Sequence, residues 1–174
     1  NKTTWDKPFP EHFINFVHEA NSCVFNNEKN NKALNLDVFN IPNDSYDLVY
    51  IDTPYFSAHS MTGVDYHQFY HFLEGILDYD NWHNHIDYKS KHRRLKTKYC
   101  IWTDKNNIHG AFDKLFKKIQ DSAIVVSYRS GGIPTKEEMI NLLKQYKNKV
   151  TVKQKPYKYV LSNNGSYELL FMAV

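Results

Sequence analysis

The chain has 174 residues, 41% of them hydrophobic, and a formal net charge of +3; that length suits one domain with a real core and is short for two. No apolar run approaches the roughly 18 residues of a membrane span, and no charged-then-apolar leader opens the sequence. Neither a membrane protein nor a secreted precursor is expected, and the mild positive balance permits nucleic-acid binding without requiring it. Cys23 and Cys100 have apolar neighbours and no CxxC spacing, which predicts two reduced core thiols in an intracellular protein. The first residue is Asn1 rather than Met, so the sequence reads as a piece of something longer.

In chain order, Phe13, Phe16, Val17, Ala20, Cys23 and Val24 recur at helical spacing after Pro8 and Pro10. Asp47 to Asp52 is a short apolar block running into a Pro, as a buried strand does. Residues Tyr66 to Leu77 are predicted to be helical, with Phe69, Phe72, Leu73 and Ile76 on one face, and a polar, basic stretch from Asp78 to Lys98 follows. A second amphipathic helix is predicted over about Asn106 to Asp121, with Ile108, Ala111, Phe112, Leu115, Phe116 and Ile119 as one stripe. Ala123 to Tyr128 is another buried-type strand, followed by a turn at Gly131-Gly132. Thr135 with Glu138 forms a capping-box pattern for a helix carrying Met139, Leu142, Leu143 and Tyr146. Two tail strands are predicted, Val150 to Gln154 (extended through Tyr157 to Leu161) and Tyr167 to Val174, reversing at Asn163-Asn164-Gly165. Strands alternating with helices predict a single α/β domain over 1–174, its sheet largely parallel with an antiparallel end.

The tetrapeptide Asp52-Thr53-Pro54-Tyr55 carries the chemistry, because ligands of open α/β sheets sit beyond the carboxyl ends of strands. Asp and Pro are also ordinary turn residues, so the tetrapeptide alone is equally a turn. It resembles the Asp-Pro-Pro-Tyr signature of the methyltransferases that modify the adenine amine in DNA. That amine is a poor nucleophile, since its lone pair is delocalised into the ring. A carboxylate and a backbone carbonyl that accept its two hydrogens draw the nitrogen toward tetrahedral geometry and free the lone pair for attack. The base must first leave the helical stack and lie against an aromatic ring. On this reading Asp52 and the carbonyl of Thr53 are acceptors, Pro54 is the rigid turn and Tyr55 the stacking platform. Thr53 stands where the family usually has Pro but retains the carbonyl.

The likeness extends along the chain in order. Asp65 to Gly75, Lys91-His92-Arg93-Arg94-Leu95, Val126-Ser127-Tyr128-Arg129-Ser130 with Gly132-Ile133-Pro134, and Tyr157 to Ser162 all resemble parts of Dam-like adenine methylases of restriction systems. The resemblance implies a partial Rossmann-like sheet with flanking helices and an antiparallel C-terminal hairpin, S-adenosylmethionine (SAM) as cofactor, double-stranded DNA as partner and a bacterial cytoplasmic setting. It also implies that Asp37 and Val38 or Phe39, within Leu34 to Phe39, lie beside the cofactor's adenine, with Asp52 touching the cofactor as well. The family's Phe-x-Gly-x-Gly loop does not occur upstream of Asp52, and the DNA-reading insertion is likewise not found. The expected chain is therefore a catalytic portion that needs the missing N-terminal half of its own protein.

Lys91, Arg93 and Arg94, inside a basic run from Lys89 to Lys98, are candidate phosphate contacts. Tyr128 and Arg129 end a strand parallel to the catalytic one and are expected to face the same cleft, touching substrate or DNA, with a structural role as the alternative. His67 and His71 have the i, i+4 spacing of a metal pair but no third ligand, so no metal site is expected. Lys155 to Tyr159 interleaves basic and aromatic residues, as an exposed strand face or a base pocket would. RNA or protein glutamine are alternative acceptors, and the segment order after Tyr55 favours DNA. The reading from another class is a non-catalytic nucleic-acid-binding remnant, or one half of a split methyltransferase.

Overall fold

A computed structural model describes residues 6–42, 46–59, 61–63, 65–157 and 165–174. The chain divides into two compact units, Asn1–Leu36 and Asp37–Val174. The first holds helix α1, Phe9–Ser22, where Pro10 occupies the first turn and its missing N–H costs nothing. No residue of α1 is buried; Phe13 is 57% and Phe16 65% exposed. Cys23 is exposed and Cys100 half-buried, so the expected core thiols are not core residues: apolar sequence neighbours did not bring packing over them. Among the described residues, no helix is long and apolar enough to cross a membrane.

The second unit is mixed α/β. Its main strands are β1 (Leu48–Asp52), β4 (Ala123–Arg129), β5 (Val150–Tyr157) and β6 (Ser166–Ala173), with a small ribbon of β2 (Phe56–Ser57) and β3 (Thr62–Gly63). The four-stranded sheet has the order β1-β4-β6-β5. β1 runs parallel to β4, from Leu48 beside Ala123 to Asp52 beside Ser127, and β6 is antiparallel to both β4 and β5. The C-terminal hairpin is present; the predicted extension beyond Tyr157 and the reversal at Asn163-Asn164 lie outside the described residues.

Helix α5, Ile108–Lys118, forms the crossover between the two parallel strands. Its predicted stripe packs as read: Ile108, Ala111, Phe112, Leu115, Phe116 and Ile119 are all buried. They meet Ile124, Val126 and Tyr128, which period-2 alternation places on one face of β4. Phe112 is the hub, with ring centroids 5.0 Å from Trp102, 5.6 Å from Phe116 and 5.8 Å from Tyr128. Helix α6, Lys136–Lys144, starts with the predicted capping box: Glu138 N–H donates to Thr135 Oγ1 (3.2 Å) and Thr135 N–H to Glu138 Oε2 (2.7 Å). The Thr135 N–H holds the Glu138 carboxyl below its usual range, with the His109 contact acting the same way.

The helix predicted over Tyr66 to Leu77 is two, α2 (Tyr66–Phe69) and α3 (His71–Leu77), broken where Tyr70 takes φ −97° and ψ 29°. Phe69, Phe72, Leu73 and Ile76 are each more than half exposed. Gly75 is the buried position of α3, because the Trp82 indole lies where a Cβ would go. Beyond α4 (Trp82–His85), the basic stretch is more ordered than its composition suggests: Ile86 bridges Leu95, and Leu95 is 2% exposed.

Candidate active site

Asp52, exposed at the carboxyl end of β1, stands level with Ser127 of β4. The chain then turns through buried Thr53 and half-buried Pro54 and Tyr55 into β2. The Tyr55 hydroxyl lies 3.2 Å from Ser127 Oγ and 3.4 Å from both Asp52 Oδ1 and Glu168 Oε2. One phenolic proton serves one acceptor at a time, so it is shared between two carboxylates while Ser127 can donate to the phenol oxygen. Burial pushes the Tyr55 phenol well above its ordinary range; the Ser127 bond pulls it back, and the Glu168 and Asp52 charges raise it further.

Tyr128 supports this arrangement from below. The Tyr55 ring stands edge-on to it, centroids 5.3 Å apart at 75°. The Tyr128 hydroxyl donates to the Ile133 carbonyl and accepts from the Phe56 N–H at 3.4 Å, and burial pushes its phenol up to about 12. Further backbone bonds tie the loop down: Ala58 N–H to the Gly131 carbonyl (3.0 Å) and Ile133 N–H to the Phe56 carbonyl (3.1 Å). The predicted Gly131-Gly132 turn is thus also a clamp. Gly131 has φ +64°, and a Cβ on Gly132 would fall 2.6 Å from the Tyr128 ring.

Beside Asp52 lies a pocket of about 240 Å³ walled by Val38, Ile41, Thr53, Pro54, Trp102 and Leu115. Thr53 Oγ1 is buried there without a hydrogen-bond partner among the described residues. A 3-10 turn, Val38–Asn40, reaches the pocket after Asp37, whose Oδ1 accepts from the Phe39 N–H at 2.8 Å. Of the residues expected around a cofactor, Val38 and Asp52 therefore meet in one pocket. The Asp37 carboxylate caps the turn, and Phe39 packs on Trp102 (6.0 Å) under the Lys114 ammonium (4.3 Å).

The expected DNA contacts are placed unequally. Tyr128 is 1% exposed and belongs to the core, which corrects its assignment to the cleft. Adjacent strand residues point to opposite faces, so Tyr128 and Arg129 cannot both face one cleft; Arg129 shares the outer face with Ser127. Lys91 is exposed. Arg93 donates to the Tyr88 carbonyl (2.8 Å) with its guanidinium over the Tyr88 ring, and Arg94 pairs with Asp87 at 3.8 Å. The basic segment is linked to α2 through Gln68 Nε2, which donates to Thr97 Oγ1 at 2.9 Å. Tyr66 of α2 is near enough to Asp52 for that charge, after burial, to raise its phenol. His67 contacts Glu74 at 3.5 Å. Glu168 and Trp102 were not anticipated. Glu168 had a signal, being the one charged residue in the otherwise apolar run 167–173; Trp102 had none.

The chain is homologous, along most of its length, to segments of type II restriction-modification DNA methyltransferases. It is 31% identical to modification methylase StsI of Streptococcus sanguinis over 184 aligned positions, covering 96% of this chain and 25% of that protein. It is 28% identical to type II methyltransferase M2.HphI of Haemophilus parahaemolyticus, covering 96% of this chain and 46% of the relative. Against M.FokI of Planomicrobium okeanokoites the figures are 32% identity, 71% of this chain and 18% of the relative. The chain thus spans less than half the length of each. No family model matches it, and no solved structure does.

Proposed function

We propose that this chain is the catalytic portion of a bacterial, cytoplasmic DNA methyltransferase that transfers a methyl group from SAM to the exocyclic amine of adenine in a restriction-modification system. The observation that carries the reading is the Asp52–Tyr55 loop: a carboxylate at the end of a parallel strand, beside a pocket and braced by an aromatic clamp. The homology to DNA methyltransferases supports the same class.

The pocket fits part of such a cofactor. Its walls are mainly apolar, suiting a purine face, and the Asp52 carboxylate supplies a polar anchor. At about 240 Å³ it is smaller than the ~300–1,000 Å³ usual for small-molecule sites, as a site completed by another segment would be. Bound there, SAM supplies an electrophilic methyl group. The rest falls to this chain's residues. Asp52 accepts one amine hydrogen and the Thr53 carbonyl the other. Tyr55 holds the extruded base by its ring, and Tyr128 with Gly132 keeps that ring and the loop in place.

The test is methyl transfer by the protein of the complete reading frame, read as N6-methyladenine in unmethylated DNA by mass spectrometry. Methylated cytosine or no transfer to DNA would sink the adenine reading. DNA binding without transfer would instead favour a non-catalytic remnant.

A further inference from the structure

Tyr55 lines a second recess. This groove of about 560 Å³ runs over the outer face of the sheet, walled by Tyr55, Ser127, Lys153, Lys155, Tyr157 and Glu168 among others. The strand registers explain its chemistry. Lys153, Lys155 and Tyr157 share one face of β5; Lys155 lies beside Glu168, and Glu168 lies beside Arg129 of β4. The opposite face carries the buried core, Ile124, Val126, Leu169 and Phe171. The outer face thus gathers three cations, Lys153, Lys155 and Arg129, with two carboxylates, Glu168 and Asp52, and the rings of Tyr55 and Tyr157 border the groove.

We infer that this groove seats a single DNA strand next to the target adenine, with phosphodiesters on Lys153 and Lys155 and a neighbouring base against Tyr157. The inference rests on the methyl-transfer reading above and assigns where its DNA strand runs. Lys153 and Lys155 are exposed and two residues apart, so their stems rise about 6.6 Å apart, comparable to the interval between consecutive phosphates on an extended strand. Tyr157 offers a ring for any base, since stacking does not discriminate sequence. Glu168 is the cross-strand neighbour of Lys155, and its carboxylate is turned to the Tyr55 hydroxyl. It sits at the Tyr55 end of the groove, its carboxylate within 3.4 Å of that hydroxyl, where base hydrogens arrive rather than phosphate. Sequence reading singled out a different basic segment, Lys89 to Lys98, for phosphate contact.

The 174-residue chain itself can be tested with an eight-nucleotide single strand carrying one adenine beside 5-iododeoxyuridine, a photo-crosslinking base that favours aromatic partners. Binding is followed by anisotropy from low to high salt, and the crosslinked peptide is read by mass spectrometry. The expected crosslink is on Tyr157. The double variant Lys153→Gln/Lys155→Gln should weaken binding tenfold or more and flatten the log–log salt slope by about 1.4, at about 0.7 per lost phosphate contact on a single strand. An unchanged affinity and slope, a crosslink confined to residues 78–99, or no binding at low salt would each overturn the groove. The two levels separate cleanly. Thr135→Ala, at the cap of α6, should bind the strand as the wild type does. Loss of the groove effects with adenine methylation intact in the full-length protein removes only this inference. Groove binding with no methylation removes the activity instead.

Discussion

Tyr128→Phe tests how the catalytic loop is held, because it removes one buried oxygen and leaves the ring. In the wild type that oxygen donates to the Ile133 carbonyl and accepts from the Phe56 N–H. Leaving buried backbone groups unpaired costs about 1–3 kcal/mol, so at pH 8 the variant should be less stable by about that amount. The pH dependence has a definite sign. The Tyr128 phenol is raised from 10.0 to about 12 in the folded chain. The folded state therefore holds the proton more tightly than the unfolded state, and the associated stability is fully present below pH 10. It is lost as pH rises from about 10 through about 12, by roughly 3 kcal/mol for a shift of about two pH units. Phe has no such proton. Urea unfolding of both proteins, followed by circular dichroism at pH 8, 10, 11 and 12, should show the wild type's advantage shrinking above pH 10 and disappearing near 12. Other titrating groups are common to both chains and cancel in the difference. An advantage that stays constant from pH 8 to 12, or a variant as stable as the wild type at pH 8, would refute the buried, doubly bonded phenol.

Gly132→Ala should cost about 1–3 kcal/mol by overpacking, since the Tyr128 ring in its way is itself buried; denaturant midpoints will show this. Thr135→Ala breaks the capping box and should lose about 1 kcal/mol in the same assay, with no effect on nucleic-acid binding. In the full-length protein, Tyr55→Phe should keep methylation within a few-fold. Tyr55→Ala should lose about 5- to 150-fold, the worth of one base–aromatic stack, and equal rates for the two would remove the platform role.

What the sequence made legible follows from how each element is buried. Helix α5 and strand β4 pack against each other within the chain, so their periods of 3.6 and 2 mark core faces that are indeed buried, from Ile108 to Ile119 and from Ile124 to Tyr128. The capping box is a local pattern and was equally readable. The stripes on α1 and on α2–α3 obey the same rule, yet Phe13, Phe16, Phe69 and Phe72 are exposed; periodicity reports a face that suits burial and not what covers it. At the site, Asp52 to Tyr55 stood out because a strand ended there. The partners of Tyr55 did not, since Ser127 and Glu168 are 72 and 113 residues away and meet it only through sheet order. Placing Tyr128 beside Arg129 in one cleft neglected the alternation of the strand.

The account stands most directly on Asp52. The protein of the complete reading frame, with Asp52 or with Asp52→Ala, should be compared for SAM-dependent formation of N6-methyladenine in unmethylated DNA. Circular dichroism and denaturant midpoints serve to confirm that the two fold alike. The account predicts transfer by the wild type and none detectable from the equally folded variant. Methylation by the variant at the wild-type rate would contradict it.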